Sequence, residues 1–204
     1  MSIPQKLIIH QRRIGLTGGI ASGKSTIANY IKKNNQIPIL DADHYSKELI
    51  KPNSVVYKKI LNHFGNQILD NSSAKDSINR SILKKLIFED DQNREWIQKL
   101  LHPLIKANMI EKCNQYKDKK TVLLVIPLLF EAKFEDICTE TWLVKCPEKI
   151  QIKRLIKRDK ISEKEALKII NIQLNFEEKS KLSDVILDNS DHQNLWINKV
   201  KEIL

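Results

Sequence analysis

The sequence predicts an α/β fold, a parallel β-sheet covered by helices on both faces, with a helical insertion beside it. Three observations predict it. Short apolar runs such as Val122-Leu123-Leu124-Val125-Ile126 alternate with longer stretches of helical periodicity, the pattern of strands buried on both sides. A glycine-rich turn joins an early short strand to a helix. Residues 44–117 keep helical periodicity for longer than one crossover helix needs.

Taken in order, residues 14–16 read as a short strand that feeds the glycine-rich turn, and 25–33 as the helix after it. A second strand at 37–40 contains Pro38, so it is short or starts there. It ends at Asp41-Ala42-Asp43. Within 44–117, Leu83, Leu86 and Ile87 share a helical face, as do Trp96, Leu100 and Leu104. His102-Pro103 interrupts that stretch, and a residue before proline avoids helical angles, so a break is expected there. Strands follow at 122–126, stopped by Pro127, and at 142–144, stopped by Cys146-Pro147. A charged helix starts at Glu148, a last strand covers 184–187, and a last helix runs from about 193 to 204.

With 204 residues, 41% hydrophobic and 29% charged, the chain can build one compact domain with insertions. The net charge of +10 leaves two readings. One is Coulomb attraction to nucleic acid or a membrane surface; the other is compositional bias on solvated faces. The scatter of Lys32-Lys33-Asn34-Asn35 and Lys58-Lys59 favours the second. Cys113, Cys138 and Cys146 are widely spaced, which supports neither a disulfide framework nor a zinc site and suits a reduced cytoplasm. The apolar patch near the start is only Leu7-Ile8-Ile9, too short for a secretory signal, and no run is long enough to span a membrane.

The turn itself, Gly18-Gly19-Ile20-Ala21-Ser22-Gly23-Lys24-Ser25, matches G-x-x-x-x-G-K-[ST] at every fixed position. Four of the five glycines of the chain lie between Gly15 and Gly23, so the concentration has a local cause. Glycine lets successive amides turn inward around a phosphate. The amides of Ala21, Ser22, Gly23, Lys24 and Ser25 then face a β-phosphate at a helix N-terminus. Lys24 reaches the β/γ oxygens, Ser25 ligates Mg²⁺, and Thr26 is placed for the α-phosphate. The loop indicates ATP and Mg²⁺ without fixing the reaction. A regulatory GTPase would also need D-x-x-G and N-K-x-D; no glycine here follows an aspartate at that spacing, and Asn198-Lys199-Val200-Lys201 lacks the final Asp.

Asp41 and Asp43 stand at the carboxyl edge of the second strand, where α/β sheets bind ligands. Alternation puts both on one side if the segment stays extended, for orienting an acceptor hydroxyl and supporting magnesium. The plainer alternative is an Asx turn capping the helix after His44. Glu131 follows the third strand and is placed for magnesium waters or the acceptor. In the charged helix, Arg154 and Arg158 are four apart and can close on ATP phosphates, while Lys153 and Lys157 read as solvated. His102 either binds an acceptor phosphate or caps the proline break, and the residues alone favour the cap.

Together these pieces resemble the dephospho-coenzyme A kinase family over 14–189. The resemblance is carried by Gly15-Leu16-Thr17-Gly18-Gly19-Ile20 with the loop, Asp41-Ala42-Asp43, Phe64-Gly65, Arg80 with Leu83 and Ile87-Phe88, and Leu101-His102-Pro103-Leu104-Ile105. It continues through Pro127-Leu128-Leu129-Phe130-Glu131, Arg154 with Arg158-Asp159, Gln173, and Asp184-Val185-Ile186-Leu187-Asp188-Asn189. It implies transfer of the ATP γ-phosphoryl group to the ribose 3′-hydroxyl of dephospho-coenzyme A, the last step of coenzyme A synthesis. It implies a P-loop kinase-like, five-stranded parallel sheet with a nucleotide-binding core at 12–45, 118–150 and 181–204. A helical coenzyme A-binding insertion (46–117) and a lid (151–180) complete it. The implied catalytic residues are Asp43, as the group facing the hydroxyl, Lys24 and Arg154. ATP is held by Gly18, Ala21, Ser22, Gly23, Lys24, Ser25, Thr26, Arg154 and Arg158, with Gln173 near adenine. The acceptor meets Thr17, Asp43, Arg80, His102 and Glu131, and Ser25 is the metal ligand. An aspartate of ordinary pKa, about 3.9, is a weak base, so orientation outweighs early proton removal. The expected partners are small molecules, ATP and dephospho-coenzyme A, not nucleic acid or membrane, for a cytoplasmic monomer with weak oligomers left open. Other readings are a nucleoside or nucleoside-monophosphate kinase and an ATP-dependent switch or nucleic-acid binder. The chain departs from the family pattern at Ala21 (usually Gly), at Lys84 and Ile169 (commonly Arg), and in lacking a Gly after Ser190. A methyl at position 21 is tolerable if the backbone angles there are ordinary.

Overall fold

The computed structural model describes residues 11–70, 77–190 and 195–204. The apolar patch at 7–9 and the expected helix start at 193 lie outside them. The chain divides into two compact units, one of residues up to Leu40 with Lys112–Leu204, the other Asp41–Glu111.

The first unit is built on a five-stranded sheet in the order β2-β3-β1-β4-β5: β1 Arg12–Gly18, β2 Ile39–Asp41, β3 Thr121–Val125, β4 Glu140–Lys145 and β5 Val185–Asp188. β1 pairs in parallel with both β3 and β4, and β4 with β5. Residues 14–18 of β1 are all buried, Thr17 among them, so both faces of the central strand are covered where a surface strand would alternate. Helices α1 (Lys24–Asn35) and α9 (Trp196–Ile203) cover one face. Ile27, Ala28 and Ile31 of α1 join Ile14, Leu16, Leu123, Val125, Trp142, Val144, Trp196 and Val200 in one core. On the other face, a Cβ added at Gly15 would lie 2.6 Å from both Cys138 Sγ and Leu129 Cδ1. That closeness explains a glycine inside a buried strand. At the open end, Arg12 pairs with Glu140 and donates to the Ile203 carbonyl at 2.8 Å, tying β1, β4 and α9.

β2 starts later than expected. Pro38 has no N–H, but its carbonyl accepts from Leu123 N at 2.9 Å, so the proline serves as the lead-in to the ladder.

The second unit is helical: α2 (Ala42–Leu49), α3 (Val55–Phe64), α4 (Arg80–Glu89) and most of α5 (Asp91–Gln115). Val56, Tyr57, Ile60, Phe64, Ile68, Leu83 and Ile97 form its core. The break expected at His102-Pro103 is absent: α5 runs through Pro103. Ile97, Ile105, Met109 and Cys113 all lie on one i+4 row and are at most 6% exposed. Burial along that row, on both sides of the proline, outweighs the roughly 3 kcal/mol an interior proline costs. His102 therefore caps nothing; it sits mid-helix, half-buried.

α6 (Glu148–Asp159) and α7 (Glu163–Asn171) form a hairpin, and α8 (Phe176–Lys181) leads back to β5. Ser162 and Asn175 close capping boxes with Glu165 and Glu178, which fixes the two helix starts.

Candidate active site

The glycine-rich turn lies between β1 and α1. Gly23 is the N-cap of α1 at φ 103°, a conformation that favours glycine. The first amides of α1 have no carbonyl one turn back, so they and the helix dipole form an anion-binding end. Lys24 Nζ folds over the turn and donates to the carbonyls of Gly18 at 2.8 Å and Gly19 at 2.9 Å. Ser25 and Thr26 are exposed in the first turn of α1.

Ala21 is at φ 58°, in the left-handed region. The methyl is thus carried at an angle that costs an L-residue roughly 1–2 kcal/mol, so the condition of ordinary angles is not met. Packing offsets part of that cost. Ile20 and Ala21 rest against Ile152, Leu155 and Ala166 of the α6–α7 hairpin.

Three side chains hold the turn from outside. Gln173, just after α7, accepts from Ile20 N at 2.9 Å. Arg154 of α6 donates from Nη1 to the Ala21 carbonyl at 3.1 Å and lies 3.5 Å from Cys146 Sγ. Asn189, after β5, donates from Nδ2 to the Ser22 carbonyl at 2.7 Å. The sequence points to Arg154 and Gln173 as ligands of ATP; in this structure both brace the main chain of the turn. Arg158, one turn further along α6, pairs its guanidinium with the adjacent Asp159, at 2.6 and 2.9 Å. Ile169, where an arginine is common, is buried in the hairpin. A cavity of about 560 Å³ opens beside Gly19, with Val144, Cys146, Gln151, Gln173 and Lys179 among its lining residues.

Thr17, expected at the acceptor, has no exposed surface and donates to the Pro127 carbonyl at 3.2 Å, joining the ends of β1 and β3. Glu131, expected near magnesium waters, is held otherwise. Its Oε1 accepts from Leu174 N at 3.1 Å and lies 2.8 Å from Lys179 Nζ. Lys179 is 1% exposed, and the contact is an ion pair without hydrogen-bond alignment.

The remaining expected residues belong to the helical unit. Asp41 is the N-cap of α2: its Oδ1 accepts from Asp43 N at 2.9 Å. The helix therefore starts at Ala42, two residues before His44, and the extended alternation expected for Asp41 and Asp43 gives way to a cap. Asp43 is exposed in the first turn. Arg80 opens α4, where Asn79 caps Ser81 N and Ile82 N, and is exposed. Lys84, where an arginine is common, lies 5.7 Å over the Phe88 ring. Burial holds the pKa of His102 below its ordinary 6.5, so its imidazole is neutral near pH 7.

Burial also raises the thiols, Cys138 to about 12 and Cys113 and Cys146 in the same direction, so none is poised as a nucleophile. Among the described residues no cluster of three or more His, Cys, Asp or Glu could hold a metal, and no helix is long and apolar enough to cross a membrane. A single hydroxyl, that of Ser25, fits Mg²⁺ carried mainly by phosphate oxygens and water.

Residues to which the sequence gives no role at the site are Asn189, a mark of the resemblance only, and Lys179. Lys179 had a faint signal: it lies one turn from Phe176, where the inward face of α8 would ordinarily be apolar. Asn189-Ser190 after a strand reads as an ordinary turn, and nothing in its spacing points to a loop 167 residues away.

The family model described as dephospho-CoA kinase matches residues 12–194. A dephospho-CoA kinase of Prochlorococcus marinus (strain MIT 9312) is 66% identical over the whole of both chains. Among solved structures, TT1252 from Thermus thermophilus superposes with a TM-score of 0.77 at 26% identity, covering 95% of this chain and 96% of that one. A dephospho-CoA kinase from Campylobacter jejuni gives 0.66 at 25% identity, covering 94% and 96%. The phosphate loop, the sheet order and these likenesses agree, and this chain belongs to the dephospho-CoA kinase family.

Proposed function

We propose that this kinase transfers the γ-phosphoryl group of ATP to the ribose 3′-hydroxyl of dephospho-coenzyme A. The observation that carries the nucleotide half is the turn from Gly18 to Ser25, braced on its outer side and crossed by Lys24. On nucleotide binding, Lys24 Nζ exchanges two carbonyl partners for β/γ oxygens, gaining charge-assisted bonds as negative charge shifts during transfer. Ser25 Oγ would hold Mg²⁺, which when bound would neutralise charge on the phosphates. Arg154 keeps one N–H on the Ala21 carbonyl and turns others to the transferring group.

For the acceptor half, Asp43 orients the 3′-hydroxyl, with little proton transfer before the loose transition state. Arg80 and His102 bind acceptor phosphate, His102 as a neutral N–H donor. Glu131 acts within the first unit, holding Leu174 and Lys179, in place of a direct role toward metal or acceptor. The helical unit binds coenzyme A, the α6–α7 hairpin acts as the lid, and the kinase works as a cytoplasmic monomer.

The test is mass spectrometry of the protein with Mg-ATP and dephospho-coenzyme A, beside AMP, CMP and pantothenate. One added phosphoryl group on dephospho-coenzyme A alone is expected; transfer to a control acceptor instead would defeat the acceptor assignment. Lys24→Ala should lower turnover at least ~10²-fold and Asp43→Asn by ~10²–10⁴, the latter with ATP affinity kept. Near-normal turnover of either removes that residue from its role.

A further inference from the structure

We infer that Asn189 is a positioning residue for this reaction, one that aims the Gly23 amide at the nucleotide phosphates; the inference rests on the nucleotide site proposed above. The argument starts from one peptide plane. Asn189 Nδ2 donates to the Ser22 carbonyl at 2.7 Å, and both residues are buried, at 6% and 1% exposure. The Ser22 carbonyl and the Gly23 N–H belong to the same trans peptide, in which they point in opposite directions. Anchoring the carbonyl outward turns the N–H to the far side, the side away from Asn189.

The anchor is itself fixed. Asn189 N donates to the Lys145 carbonyl at 2.9 Å, at the end of the β4–β5 ladder. The neighbouring Asp188 pairs with Lys145 at 2.9 Å and accepts from Ser190 N at 3.0 Å. The carboxamide therefore reaches the turn from a rigid sheet edge. It also occupies the space a side chain at position 23 would need, since a Cβ there would lie 2.1 Å from Asn189 Nδ2. Gly23 is thus required twice, for its φ of 103° and for the approach of Asn189. The group at 189 must be a donor: a carboxylate has only acceptor oxygens and would face the Ser22 carbonyl with like polarity.

Asn189→Asp keeps the shape and reverses the polarity; Asn189→Leu keeps the approximate shape without a donor. Ser22-Gly23 is the only serine-glycine pair in the chain, so protein labelled with carbonyl-¹³C serine and ¹⁵N glycine shows the Gly23 amide as a single correlated NMR signal. Addition of MgADP to the unaltered protein should move that signal downfield. In both variants the movement should largely vanish and KM for ATP should rise roughly 10–100-fold, with the Gly65 signal unmoved. A full Gly23 response and unchanged KM in either folded variant would overturn the inference. So would a loss spread equally over all glycine signals, which marks a structural role only. If MgADP moves Gly18 and Gly19 but not Gly23 in the unaltered protein, the inference fails while the nucleotide site stands. If it moves none of them, both fail.

Discussion

Lys179→Met tests the buried ion pair that ties α8 to the turn after β3. Lys179 is 1% exposed and the Glu131 side chain 17%, with Nζ and Oε1 2.8 Å apart. Removing the ammonium leaves a carboxylate whose described support is the Leu174 amide at 3.1 Å. Breaking one side of a buried pair costs roughly 3–5 kcal/mol, and the residual exposure of Glu131 puts the expectation near the lower end. Glu131→Gln should cost a similar amount, because it strands the ammonium while keeping an acceptor for Leu174. The double variant removes both charges and keeps both stems, so it should return to within about 1 kcal/mol of the unaltered protein. The coupling between the sites is then at least ~2 kcal/mol, well outside the scatter of additive pairs. For a chain of this size a 3 kcal/mol loss lowers Tm by about 6–12 °C. Urea unfolding followed by Trp142 and Trp196 fluorescence, in a Trp96→Phe background, reports on the unit that holds the pair. Single variants that each lose under ~1 kcal/mol, with an additive double, would refute the reasoning.

Three further outcomes are expected. Ala21→Gly relieves a left-handed alanine, but gains unfolded-state freedom and loses a partly packed methyl; stability should therefore stay within about 1 kcal/mol, whereas Ala21→Val should lose more than that, both by calorimetry. Burial depresses His102 below 6.5, so the unfolded chain protonates first; stability from this group is full above pH 6.5 and is lost as pH falls towards the folded value, and His102→Gln should flatten the urea midpoint across that window. Burial raises the Glu140 carboxyl, but bonds from Arg12 and Trp142 outweigh it and hold the pKa below 4.5. Its contribution is full above pH 4.5 and fades as pH falls through the folded value, so Glu140→Gln should lose stability at neutral pH and show a shallower acid transition.

Much of this was legible from local pattern. The turn from Gly18 to Ser25 announces itself because its chemistry is contiguous, and fully apolar runs mark the strands because parallel sheets bury both faces. What failed to show was set by tertiary contact. Pro103 reads as a break by local rule, yet one buried row on both sides of it keeps α5 whole. At Asp41 and Asp43 the sequence leaves paired carboxylates and a helix cap open; the local cap is what forms, with the helix starting at Ala42. Glu131 reads as a group for magnesium waters or the acceptor, because nothing in the sequence pairs it with a lysine 48 positions away. Arg154 and Arg158 share a spacing, yet one reaches the Ala21 carbonyl while the other pairs with the adjacent Asp159.

The placement of these contacts bears on how nucleotide binding is made inexpensive in ordering. A loop that must order on its ligand loses affinity to the entropy of that ordering. Here three consecutive residues of the turn are already held, Ile20 at its amide and Ala21 and Ser22 at their carbonyls, by groups from three different elements. Each brace takes the pole of its peptide turned towards the protein. The inner side is covered by Lys24, and its two bonds go to carbonyls at the loop's entry, Gly18 and Gly19. In the proposed binding of ATP, the swing of this one lysine would exchange neutral acceptors for charged ones while the backbone keeps its shape. A guanidinium has five N–H donors, so the one bond from Arg154 to the Ala21 carbonyl leaves others available, whereas an ammonium would lack the fork. If Arg154 faces the transferring group as proposed above, loop shape and transition-state charge would be coupled through a single side chain.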